Sequence, residues 1–229
     1  MMSYLNELLF GYYPYVAGAV FLLGSLVRFD RDQYTWRSGS SQLLRAKNMR
    51  LASNLFHVGI LMLFIGHFVG LLTPPAVYHA LGLSTSAKQL LAVAAGAIFG
   101  AMTLVGLTML LHRRMSDPRI RANSSNSDVF ILWLLLAQLI LGLFTLPVSL
   151  AHADGSTMLL LADWAQRIVT FRGGAADLVA DVNILFKLHL LLGITIFLVF
   201  PFTRLVHIWS APVWYMGRRY QVVRQRYAR

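Results

Sequence analysis

The sequence predicts an all-α integral membrane bundle of five transmembrane helices in a single domain. Three observations carry that expectation. Apolar residues make up 57% of the 229-residue chain and charged residues only 13%, whereas a soluble domain carries about 25% charge. The mean hydropathy is +0.62, which leaves too little polar surface to cover a water-soluble core and is too apolar for disorder. The apolar residues are also gathered into five runs, each close to the ~20 residues that cross a bilayer.

The runs fall at about 8–28, 52–72, 89–111, 129–150 and 184–208. The first is glycine-rich and interrupted by Pro14, which a membrane helix tolerates when neighbours satisfy the freed backbone. Its leading residues, MMSYLNELLFGYYPYV, carry Glu7 and no basic group. That start does not resemble a cleavable signal peptide. Polar links with turn residues separate the runs. In the longest, about 151–183, Met158–Val169 is expected to form a short interfacial helix, ended by Gly173 and Gly174. No internal repeat is evident.

Charge sets the expected orientation. The chain has 20 Lys+Arg against 9 Asp+Glu, a net +11, and the basic residues cluster between the apolar runs. Arg28, Arg31, Arg37, Arg45, Lys47 and Arg50 lie around the first link, and Arg113, Arg114, Arg119 and Arg121 around the third. The tail 209–229 holds Arg218, Arg219, Arg224, Arg226 and Arg229. The second link has only Lys88, and the fourth has Arg167 and Arg172 beside four aspartates. The positive-inside rule then places the N-terminus in the periplasm and the C-terminus in the cytoplasm. The same clustering argues for contact with a lipid bilayer and against a nucleic-acid partner.

There are no cysteines, which excludes disulfides, cysteine-held iron–sulfur clusters and covalent c-type haem. A metal therefore falls to histidine or carboxylate. Four of the seven histidines lie in the spans: His57 and His67 in the second, His189 and His207 in the fifth. An ionisable group inside a membrane is costly and marks function by default. The bland alternative for any one of them is a neutral imidazole hydrogen-bonded to a neighbouring helix. Two pairs on two helices instead match the four axial imidazoles that two haems require.

Helix arithmetic fixes the pairing. Spans two and five run antiparallel, so His57 faces His207 near the cytoplasmic side, and His67 meets His189 nearer the outside. The 18 residues between His189 and His207 return to one helix face, and the 10 between His57 and His67 leave them about 80° apart. Depth matches less well, at about 15 Å for one pair and 27 Å for the other. Tilted haem planes would reconcile them, or a bend in span five at Pro201. His79, His112 and His152 fall in links or at span ends and are expected to be solvated.

The runs QYTWRSGSSQ, NLFHVGILMLFIGHFVGLLTP and RLVHIWSAP, with GYYPYVAGAVFLLGS and ADWAQRIVTFRGG, closely resemble the gamma subunits of respiratory nitrate reductases. That family consists of di-haem cytochromes b of bacterial and archaeal cell membranes. The resemblance covers nearly the whole chain. It implies two haem b, the inner one held by His57 and His207 and the outer by His67 and His189, all four as iron ligands. It further implies that membrane quinol is oxidised near the outer haem, with protons released outside. Electrons would then reach an iron–sulfur beta subunit and a molybdenum-containing alpha subunit that reduces nitrate.

Lys88 resembles the family's quinol-binding lysine, although Tyr78–Ser86 departs from the family pattern; the alternative is a snorkelling anchor. Gly66, beside His67, offers room for a quinol ring, the alternative being helix packing. Haem propionates need cations near the interface. Arg204, Arg113 and Arg114 are candidates at the inner haem and Lys187 at the outer, with positive-inside anchoring as the competing explanation. Other readings are a cytochrome b anchor of a heterodisulfide or sulfite reductase, a small histidine-relay transporter, and a haem-free anchor. The transporter predicts acidic groups inside the bundle, yet nearly every Asp and Glu lies in a link or at a span end.

Overall fold

The computed structural model describes residues 2–151, 154–210 and 217. Among these, all regular structure is helical, and five helices are long and apolar enough to cross a membrane: Ser3–Arg31, Met49–Leu72, Thr85–Ser116, Asn126–Ala151 and Ile184–Phe202. His152 and the tail arginines Arg218, Arg219, Arg224, Arg226 and Arg229 lie outside the described residues.

The first four helices run past the predicted apolar limits because helical hydrogen bonding continues where hydropathy falls. Ser84 caps the third by accepting from the Ala87 amide at 3.2 Å, a standard N-cap. That helix carries Arg113 and Arg114 in its last turn, where cations suit its dipole. The fifth span is shorter than the predicted 184–208. Its α-helix stops at Val199 and gives way to a 3₁₀ turn, Phe200–Phe202, around the buried Pro201. Thr203 is extended, with φ −122° and ψ 176°, and a second 3₁₀ segment, Arg204–Ser210, carries His207. The expected break at Pro201 is present, so His189 and His207 do not share one rod.

Pro14 leaves the first span unbroken. It lacks the N–H that would reach the carbonyl four residues back, at Phe10. The helix widens to a π turn at Leu8–Tyr12, as helices do where a bond is lost. The Phe10 carbonyl instead accepts the buried Trp164 indole N–H at 3.0 Å. Trp164 sits on the interfacial helix Ser156–Val169, present as expected. That helix ends at Val169 with Thr170 as its C-cap, short of Gly173 and Gly174; Gly174, at φ 72°, precedes the next turn, Ala175–Leu178.

Spans two, three, four, five and one pack in that order, and the interfacial helix lies on the second. Between spans two and three the backbones nearly touch. A Cβ on Gly59 would stand 2.3 Å from Thr103 Oγ1, and one on Gly106 would stand 2.3 Å from the Phe56 backbone nitrogen. Small residues allow such contact, and in lipid that contact is what drives helix association. Tyr13 joins spans one and five through a 3.0 Å hydrogen bond to Thr195. Only 6% of the second span's most apolar stretch is buried within the chain, against 17–22% for the others. The second and fifth spans share no extended packed seam among the described residues.

Candidate functional site

All four predicted histidines use the same nitrogen in the same way. Nδ1–H donates to a backbone carbonyl in each: His57 to Ser53 at 2.8 Å, His67 to Leu63 at 2.7 Å, His189 to Gln138 at 3.2 Å and His207 to Arg204 at 2.5 Å. A carbonyl only accepts, so each Nδ1 carries the proton and each Nε2 presents a lone pair. Metal-ligating histidines are oriented by this arrangement. For His57 and His67 the acceptor lies one helical turn back, so the orientation follows from the helix itself. His79 differs, because its Nε2 is the atom near Thr85 Oγ1, at 3.2 Å. His79 and His112 are exposed.

His67 and His189, from spans two and five, come together. The His67 and His189 rings have centroids 6.0 Å apart and planes inclined by 38°. Two imidazoles each about 2 Å from one metal put their ring centres about 6 Å apart. His57 and His207 present Nε2 in the same way, from span two and from the segment Arg204–Ser210. Among the described residues no group of three or more His, Cys, Asp or Glu would cage a bare ion. A haem supplies four iron ligands itself and asks the protein for two, a demand that the His67–His189 pair fits. One side chain must give way: Gln138 Nε2 stands 3.4 Å from His189 Nε2, beside the ligand position.

Lys88 is buried although cationic. Its ammonium donates to the Gly70 carbonyl at 2.9 Å and lies 4.2 Å above the Tyr78 ring. It therefore reaches from the mouth of span three to span two, three residues beyond His67. The space beside Gly66 is open, with nothing within 4 Å of a Cβ placed there.

The predicted propionate partners are already engaged. Arg113 is buried and donates to the Ser41 carbonyl at 2.8 Å. Arg114 donates to Ser124 Oγ at 2.5 Å and pairs with Asp128 at 3.8 Å. Arg204 donates to the Ser38 carbonyl and reaches Asp128 at 4.0 Å. Lys187 donates to the Ala180 carbonyl. Their observed contacts are with the chain's own links, an arrangement in which Asp128 holds two arginines at the basic end.

Sequence reasoning missed Gly142. A Cβ there would stand 2.9 Å from His189 Cε1. Its signal was weak: a glycine one turn after Gln138 in a largely apolar span.

Fold and site together define a multi-pass membrane protein with four histidines on its second and fifth spans and the segment after the fifth, two of them with rings 6.0 Å apart. The family model of the nitrate reductase gamma subunit matches residues 6–226. The chain is 53% identical over 226 residues to the respiratory nitrate reductase 1 gamma chain of Escherichia coli K12, covering 99% of this chain and 100% of that one. It is 37% identical to the nitrate reductase gamma chain of Bacillus subtilis 168, covering 96% and 99%. It is also 34% identical to the nitrate reductase-like protein NarX of Mycobacterium tuberculosis, covering 97% of this chain and 34% of that one. This chain belongs to the nitrate reductase gamma subunit family.

Proposed function

We propose that this chain is the quinol-oxidising di-haem cytochrome b subunit of a respiratory nitrate reductase. It oxidises membrane quinol at the periplasmic side, releases two protons there and delivers two electrons inward to an iron–sulfur beta subunit. A molybdenum-containing alpha subunit completes the complex. The N-terminus is periplasmic and the C-terminus cytoplasmic, a reading supported by the basic clusters at one end of the bundle.

The observation that carries the proposal is the shared Nδ1–carbonyl hydrogen bond of the four histidines, which leaves four Nε2 lone pairs, those of His67 and His189 on rings 6.0 Å apart. Haem b, when bound at each pair, supplies a one-electron carrier. His57 and His207 hold the inner one, His67 and His189 the outer. The carbonyls of Ser53, Leu63, Gln138 and Arg204 fix ring orientation and raise each imidazole's basicity as a ligand.

Lys88 and Gly66 form the quinol site. The open face at Gly66 admits a flat ring, and the Lys88 ammonium donates a hydrogen bond to a quinol oxygen. Charge-assisted bonds of this kind are about twice as strong as neutral ones. The hydroxyl protons leave toward the nearby outer face. Arg204, Arg113 and Arg114 neutralise the inner propionates while keeping their present contacts, since each guanidinium has five donors.

The test is a reduced-minus-oxidised absorption spectrum of the full chain in detergent. The expected result is a b-type α-band with two haems per chain, one lost in H189A and the other in H207A. A colourless protein, or two haems surviving in both variants, refutes the proposal.

A further inference from the structure

The break in the fifth span creates a problem that one side chain solves. The last carbonyls of a helix have no partner within it, and unpaired carbonyls near hydrocarbon are costly. Past Val199 the chain turns through Pro201 and then runs extended at Thr203. Arg28, at the end of the first span, sends Nη1 to two carbonyls at the break, that of Pro201 at 2.6 Å and that of Thr203 at 2.8 Å. Its Nη2 donates to the Thr35 carbonyl at 3.1 Å and to Thr35 Oγ1 at 3.3 Å. One planar fork thus ties the first span, the following link and the fifth-span break.

The surroundings are built for that contact. Thr203 and Pro201 are buried. Gly24, one turn before Arg28, has Pro201 Cγ 2.9 Å from where a Cβ would sit, so only glycine lets the break approach so closely. The segment Arg204–Ser210 starts at the next residue. It is anchored by buried Leu205 and Val206 against Ile131 and Phe200, and by Trp36 Nε1 donating to Ser210 Oγ at 2.6 Å. His207 takes its ring orientation from the Arg204 carbonyl in that segment. The direction in which the chain leaves Thr203 therefore sets where the imidazole points.

We propose that Arg28 is a positioning residue for His207, and through it for the inner haem. This rests on the haem-binding reading above. An arginine serves here because its planar fork offers several donors at fixed angles; a lysine ammonium keeps the charge but not the fork. The competing role, a topology-setting charge, asks only for a cation.

The experiment records electron paramagnetic resonance spectra and haem redox titrations on membranes containing the full chain, as wild type, R28M and R28K. H207A and H189A assign the inner and outer signals. The expected result in R28M is a shifted or lost inner-haem signal beside an unchanged outer one. Loss of fold would lower both signals together. If R28M fails to accumulate, R28K decides, because it retains the orienting charge: a shifted inner signal with an unchanged outer one supports the proposal. In the deciding variant, an inner signal identical to wild type, or equal changes in both signals, overturns it. A wild-type chain without b-haem signals overturns the functional proposal itself, whereas two normal wild-type signals with an unmoved inner one overturn this inference alone.

Discussion

Adding one methyl group, Gly142→Ala, should loosen the outer haem selectively. The new Cβ would lie 2.9 Å from His189 Cε1, 3.4 Å from Nδ1 and 3.6 Å from Nε2. Carbon atoms rest about 3.5–4.0 Å apart, so the imidazole must retreat by roughly half an ångström or more. The push comes from the helix that also holds the ring, since Gln138, one turn earlier, accepts its Nδ1–H at 3.2 Å. Retreat therefore strains that bond and misaims Nε2. Overpacking of this kind costs about 1–3 kcal/mol, which corresponds to roughly five- to hundredfold weaker haem retention. The assay is haem content per chain together with redox-resolved spectra of membranes. The expected outcome is a depleted outer-haem signal with the inner one intact, while Gly18→Ala, where a Cβ meets nothing within 4 Å, retains both. Unchanged outer-haem content and potential in G142A would show that ring placement by the fourth span is unimportant.

Lys88→Ala should slow haem reduction by quinol about ten- to hundredfold, the worth of one charged hydrogen bond, and leave haem content nearly unchanged; stopped-flow reduction checks this, and equal rates would remove Lys88 from the site. Trp164→Phe strands the Phe10 carbonyl left free by Pro14 and should lower stability by about 1–3 kcal/mol, visible as a lower unfolding midpoint in detergent; an unmoved midpoint contradicts it. Asp117 lies beyond the third span. Burial pushes its carboxyl up, but the Ile120 and Arg119 amides and the Arg45 guanidinium outweigh this and hold it below the ordinary carboxylate value. Its contribution is then complete above the unfolded value and disappears as pH falls through the lower folded one. Acid melting curves of D117N should accordingly be flatter than wild type in that window; parallel curves would refute the role.

Much of this was legible in the sequence because a membrane leaves few options. Five apolar runs gave five spans, and helix parity alone paired His67 with His189. Span ends were less legible, since hydropathy falls at Arg113 and Arg114 while the helix continues to Ser116. Pro14 and Pro201 show the limit of reading a proline by type. One is absorbed by a π turn with help from Trp164, the other ends the α-helix, and the difference lies in partners 150 and 173 residues away. Arg28 counted only as charge, because its acceptors are backbone oxygens that no composition reveals. Gly142 and Gly66 look alike in sequence, yet one abuts an imidazole and the other faces open space.

The glycine seam joining spans two and three makes them mechanically a single beam. Bending one requires bending both, so the ten residues from His57 to His67, about 15 Å of rise, form a stiff gauge between the two ends of the bundle. Electron hopping slows steeply as a gap widens. If the two histidines of span two hold haems as proposed, a gauge that resists flexing would keep their spacing constant while bilayers thin or thicken around it, and a bulky residue at Gly59 or Gly106 would disturb both sites together.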